Sequence, residues 1–306
     1  MTTAIPQRPY AEILAELETF EGYLRTLGLR RAPDRLRDVL GRLKEIETAR
    51  TRNRLPSLNK RPDVAELIWS LVEGQEFADI FRGIRNYDAV IIKKLLQKAL
   101  QGPLHPTHET PVSNIGRNTV FELRLGAALL QAGANVTLGR QADIMIDHAG
   151  AHVYIECKRP FYEHSIRQNV MRARAQLRQR LDSDPHQPTV GVVAISVSKS
   201  VNPGSNMFVV NDASDLRSLS QEAERLHKQY SRDYDRLLDP RLIGMVYHLF
   251  TPALLRQSGL LIAASQVDIF PDNPSIQTML PVSGENLKKL FLVAFRHQRF
   301  EMRDAG

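Results

Sequence analysis

The segment ADIMIDHAGAHVYIECK, residues 142–158, leaves a chain little choice of local structure. Two short apolar runs, 142–147 and 152–158, flank His148-Ala149-Gly150, a turn signal, so the segment predicts a β-hairpin. In a strand alternate side chains share a face. Val153, Ile155 and Cys157 therefore point one way, and Tyr154, Glu156 and Lys158 the other. Antiparallel pairing through the turn sets Asp143 opposite Glu156. Two carboxylates meeting at a strand end repel unless a cation lies between them. Hard divalent ions such as Mg²⁺ take carboxylate oxygens and water as ligands.

The flanking sequence is patterned as alternating helix and strand. A helix is expected over 118–132, with Phe121, Leu125, Ala128 and Leu129 on one stripe and Gly133 ending it. Glu122 lies one position off that stripe and can swing towards Asp143 and Glu156. Thr119-Val-Phe-Glu122 also has capping-box spacing, which would turn Glu122 back onto the Thr119 N–H. Both roles stay open on sequence alone. A strand over 135–139 follows. After Lys158 comes an Arg-rich helix, 163–182, with Ile166, Val170, Ala173, Leu177 and Leu181 as its buried stripe. Asn169, Arg172, Gln176 and Gln179 form a polar stripe beside it. Its Arg167, Arg174, Arg178 and Arg180 are candidate phosphate contacts. TVGVVAISV, 189–197, is nearly continuous in apolar residues and predicts a strand buried on both faces. A polar helix over 213–238, apolar runs at 242–250 and 260–270 and a helix over 284–295 complete the pattern. The late runs read as strands, the first equally as a helix.

Glu122, Asp143, Glu156 and Lys158 supply what phosphodiester hydrolysis needs. A metal held by carboxylates activates water and stabilises charge on phosphate oxygens. An ammonium orients the water or shares that charge. A bare Glu-x-Lys recurs by chance in any chain this long, so the weight lies in the apolar strand before it, the Asp strand upstream and the helix on either side. Cys157 faces away from Glu156 and reads as a buried structural thiol.

With those residues in place, NTVFELRLGAALLQAG, ADIMI and VYIECKRP together resemble the core of the PD-(D/E)XK nuclease superfamily, over roughly residues 114–197. Ala142 stands where the family name places a proline. The resemblance implies an α/β, restriction-endonuclease-like core, a mixed central sheet flanked by helices. It implies Mg²⁺ or Mn²⁺ held by Asp143, Glu156, Glu122 and the backbone carbonyl of Cys157, with Lys158 assisting catalysis. It also implies a glutamine at the edge of the site, for which Gln176 is the candidate. Arg159, Arg167, Arg172 and Arg174 are the expected nucleic-acid contacts. DNA is the favoured substrate, endonucleolytic cleavage the favoured action and genome defence the setting drawn by analogy. A catalytically silent nucleic-acid-binding or assembly protein on the same fold, and a nuclease acting on RNA or single strands, remain alternatives.

Residues 1–101 read differently. Helical spacing recurs through them (Ile13, Leu14, Leu17, Phe20; Leu36, Val39, Leu40, Leu43, Ile46; 63–82; 87–100), and Trp69 falls on an apolar side, where core packing is expected. The net charge of +7 resides here: residues 25–61 hold twelve Lys/Arg and four acids. A basic block beside a near-neutral body points to a polyanion, nucleic acid before membrane. A solvated helix face is the alternative. The predicted organisation is a helical, basic N-terminal region (1–101), a linker with three prolines (102–113) and a nuclease-like domain (114–306). His105 and His108 in the linker read as solvent-exposed. Residues 1–101 are a candidate site for a regulatory protein partner, and a homodimer would provide one active site per DNA strand. A single cysteine rules out an intrachain disulfide and fits a cytoplasmic setting. No apolar run is long enough to predict a membrane span or secretory signal.

Overall fold

The computed structural model describes residues 10–29, 34–52, 54–58, 60–139, 142–184, 188–211, 215, 217–234, 239–257, 260–271 and 284–296. The N-terminal helices are α1 (Tyr10–Thr26), α2 (Asp34–Thr51), the short α3 (Leu55–Leu58), α4 (Val64–Ile84) and α5 (Ala89–Ala99). Helix α6 (Ile115–Gln131) leads into strands β1 (Asn135–Leu138), β2 (Ile144–His148) and β3 (Ala151–Lys158). Then come α7 (Ile166–Ser183), β4 (Thr189–Ser196), α8 (Ser198–Val201), β5 (Phe208–Val210), α9 (Arg217–Tyr234), β6 (Leu242–Leu255), β7 (Leu260–Pro271) and α10 (Gly284–Arg296). The protein is thus α/β, with a mixed sheet flanked by helices and a helical N-terminal region.

The sheet runs β1-β2-β3-β4-β6-β5, with β7 on the other edge of β6. β1, β2 and β3 form an antiparallel meander, whereas β3, β4 and β6 are parallel. The expected hairpin is present. His148 pairs with Ala151, leaving a two-residue turn in which Ala149 (φ 52°) and Gly150 (φ 79°) are both left-handed. That turn matches the twist of the strands it joins. All eight residues of β4 are buried, as its apolar run predicts, because helices cover both faces. Residues 242–250, open between helix and strand in the sequence, form part of the long strand β6, and β7 extends along it as its hairpin partner.

Two cores sandwich the sheet. Val153, Ile155 and Cys157 pack on the side of α6 and α4; Tyr154 packs on the side of α7 and α9 with Ile166, Leu177 and Leu226. The face assignment from strand alternation therefore holds. Helices α4 and α6 touch closely: a Cβ on Gly83 would lie 2.5 Å from the Ala127 backbone, so only glycine admits this crossing.

The first core runs without a break from Leu17, Phe20 and Leu43 to Ile146 and Ile155. The N-terminal region and the sheet layer share one hydrophobic interior. The segment 102–113, expected as a linker, is largely exposed but anchored through the buried His105, Pro106 and Glu109. His105 is 4% exposed, and its Nε2 lies 3.3 Å from Asp38 and 3.5 Å from Glu66. Burial lowers its pKa. Glu109 is buried and grips Arg159, with Nη2 3.0 Å from Oε2. His108 is exposed, as expected.

The basic block is also changed by folding. Arg35 is 1% exposed and makes two hydrogen bonds of 3.0 Å to the buried Glu73, which also accepts from Arg117 Nε at 2.8 Å. Arg42 contacts Asp38, Asp63 and Glu66; Arg50 pairs with Glu47, and Arg61 with Glu45 and Asp63. Most of the local positive charge is thereby matched within the protein. Arg52, Arg54 and Lys60 stay exposed and make no ion pair among the described residues.

Candidate active site

The β2–β3 register places Ile144 opposite Ile155, and one further step places Asp143 opposite Glu156. Asp143 lies just before β2, where its Oδ2 accepts the Cys157 N–H at 2.8 Å. That bond fixes the carboxylate across the strand end. Glu156 is fully buried. Lys158 Nζ stands 3.1 Å from Glu156 Oε2 and 3.8 Å from Asp143 Oδ2, so one ammonium serves both acids. From α7, Arg180 Nε donates to Glu156 Oε1 at 2.7 Å.

Glu122 approaches from α6. The helix begins at Ile115, a full turn before Thr119, and Thr119 Oγ1 donates back to the Ile115 carbonyl at 3.1 Å. Thr119 is thus interior to the helix, and the capping-box role of Glu122 is removed. Gly133 (φ 81°) ends the helix as expected: the N–H of Gly133 reaches Leu130 O, and that of Ala134 reaches Leu129 O.

The electrostatics bind these acids into one group. Burial, then repulsion from Asp143 and Glu156, pushes the Glu122 carboxyl up to about 8, against the pull of Lys158 and Lys98. Glu156 is raised by burial and by Asp143, with Lys158 and Arg180 opposing. Burial also raises the Cys157 thiol, which makes it inert at neutral pH. With Glu122 holding its proton near neutrality, Asp143 and Glu156 are matched by Lys158 and Arg180 at the carboxyl end of β3.

The remaining candidates separate. Gln176 is exposed on α7, one turn before Arg180; Arg167 and Arg172 are also exposed there. Arg174 is buried, and Arg159 is committed to Glu109, so neither presents its charge to solvent. Two contributors escaped the sequence reading. Arg180 was grouped with phosphate contacts but reaches Glu156, and Lys98 on α5 was not singled out. The i,i+4 spacing of Gln176 and Arg180 could have signalled the first. Nothing local signals the second.

Among the described residues no three histidine, cysteine or carboxylate side chains stand close enough to form a ready metal cage. The donor set still fits a hard divalent ion. Asp143 and Glu156 share the Lys158 ammonium and repel each other, a repulsion that a double positive charge would relieve. Asp143 and Glu156 are the residues that would hold it, with Glu122 in support.

No protein-family model, no curated protein and no solved structure matches this chain. Among the described residues no helix is long and apolar enough to cross a membrane.

Proposed function

We propose that the chain is a metal-dependent nuclease with a restriction-endonuclease-like core of the PD-(D/E)XK type. The order α6-β1-β2-β3-α7-β4 supports this reading. The observation that carries it is the buried Glu156, facing Asp143 and held between Lys158 and Arg180 at the carboxyl end of a parallel strand. In this reading Mg²⁺ or Mn²⁺, when bound, supplies the Lewis acidity and the activation of water.

The protein's own groups do the rest. Asp143 and Glu156 present oxygens on one face. Lys158, freed from bridging them, orients water or carries part of the developing phosphate charge. Lys158 and Arg180 favour the ionised form of Glu156 against burial and Asp143. Glu122, protonated near neutrality, serves as a hydrogen-bond donor or gives up its proton once a metal lowers its pKa. Arg167, Arg172 and Gln176 line the exposed side of α7, where a DNA backbone would run.

A second reading is favoured by one observation. Glu156 is already neutralised by Lys158 and Arg180 without any metal, as in a core kept only to bind nucleic acid. A gel assay on supercoiled plasmid with Mg²⁺, Mn²⁺ or EDTA, run beside Lys158→Ala, separates them. Metal-dependent nicking lost in Lys158→Ala supports the nuclease. Salt-sensitive binding with no cutting of plasmid, single strands or RNA favours the binder.

A further inference from the structure

A second polar site lies beside the first, at the carboxyl end of β4 and alongside His248 and Phe250 in the middle of β6. It is a cavity of about 30 Å³ for the centre of a water-sized sphere, enclosed between α4, α6 and these strands. That is room for two or three waters at about 10–15 Å³ each, the bulk of one tetrahedral oxyanion. Ligands of α/β sheets bind outside the carboxyl ends of parallel strands, and this cavity opens at that end of β4.

Its lining is rich in hydrogen-bond donors. Arg117 and Arg159 enter it already paired with Glu73 and Glu109. Lys199 enters unpaired in charge. Its side chain is 5% exposed, and its ammonium bonds only to the Pro106 carbonyl and Ser205 Oγ, each at 3.1 Å. Among the described residues no carboxylate lies within ion-pair distance of it. A buried ammonium without a counter-ion is costly, and here two arginines raise the cost. Burial, with Arg159 and Arg117, lowers the Lys199 pKa against the pull of Glu109.

Glu76 also lines the cavity, with its charge directed to Arg124 and not to Lys199. It stands 3.8 Å from Arg124 and accepts no hydrogen bond among the described residues. Burial raises its pKa, against the pull of Arg124. Ser196 and Ser198 hydroxyls, 3.2 Å apart, add a further donor at the end of β4.

We propose that this cavity binds a tetrahedral oxyanion, either free or as the phosphoryl group of a small molecule, with Lys199 as its charge partner. The proposal does not rest on nuclease activity. Trp69 lines the cavity and is the only tryptophan in the chain, so its fluorescence reports on occupancy.

The experiment titrates the full chain in EDTA with inorganic phosphate, against NaCl of equal ionic strength, and follows Trp69 fluorescence and Tm. The expected result is a saturable fluorescence change with a rise in Tm that NaCl does not give. Lys199→Met should weaken binding at least tenfold and Ser196→Ala by a few fold, while Lys158→Ala leaves it unchanged. Ser196→Ala decides the matter should Lys199→Met not fold. Competition by AMP identifies a phosphoryl group on a larger body as the ligand; absence of competition identifies the free ion. No saturable response, a response surviving both cavity variants, or one lost in Lys158→Ala would overturn the proposal. The last outcome would place the ion at the Asp143–Glu156 cluster instead.

Discussion

Arg180 and Glu156, twenty-four positions apart, meet through Nε and Oε1 at 2.7 Å, so a helix and a strand end share one charge. The pair sets how readily Glu156 ionises, because burial and Asp143 push the other way. Removing the guanidinium forfeits a charge-assisted bond of about 1.5–3 kcal/mol. Under the proposed nuclease function, Arg180→Met should therefore lower cleavage at pH 7 by roughly ten- to a hundredfold and move the rising limb of the pH–rate profile upward. Arg180→Lys should restore part of both. An unchanged profile would mean that Arg180 only packs.

Glu122 gives a second test through stability. Its folded pKa is about 8, against an ordinary 4.5. Below pH 4.5 both folded and unfolded chains hold the proton. Between 4.5 and 8 the folded chain binds more protons, so its stability falls as pH rises, and it levels off above 8. At about 1.4 kcal/mol per unit the total reaches at most ~5 kcal/mol. Urea unfolding in EDTA should show this decline in the native protein and a much flatter curve in Glu122→Gln.

Divalent metal should act on the same balance. Mg²⁺ at a hundred times its dissociation constant should stabilise the native fold by about 2.7 kcal/mol, read as a rise in Tm. Asp143→Asn keeps an acceptor for the Cys157 N–H and should fold normally, yet lose that rise. A Tm equally sensitive to Mg²⁺ in both proteins would detach the metal from Asp143.

Glu73 is the anchor of the N-terminal region. Its carboxylate holds Arg35 and Arg117, all three buried. Glu73→Gln would leave two guanidinium groups without a counter-charge, at a cost of about 3–5 kcal/mol. The expected observation is a marked drop in the urea midpoint of the single unfolding transition.

Ala149 is an exposed non-glycine residue in the left-handed region, at φ 52°. Ala149→Gly should stabilise the chain by about 1 kcal/mol, because glycine adopts that conformation without steric cost. Thermal unfolding measures it directly.

The hairpin, its register and the buried strand β4 were legible because strand periodicity and a two-residue turn are local properties. The juxtaposition of Asp143 with Glu156 and Lys158 was legible for the same reason. What escaped depends on distant partners. The proline-rich 102–113 reads as a linker until Arg159 claims Glu109 and Asp38 meets His105. Arg35 reads as a surface cation until Glu73 appears thirty-eight positions on. The start of α6 was set too late because Gly116 and two asparagines, Asn114 and Asn118, mask the onset. The short strand β5 was missed, and β6 runs on through Pro252, where the apolar pattern had been taken to end.

The unbroken interior joining Leu17 and Phe20 to Ile155 has a consequence for anyone dissecting this protein. The helical half cannot be cut away as a detachable module or swung aside like an arm. Deleting it would strip one wall from the sheet that positions Glu156, and the remnant would meet water with a raw apolar face. Whatever grips those helices pulls directly on the strand end that carries Glu156 and Lys158.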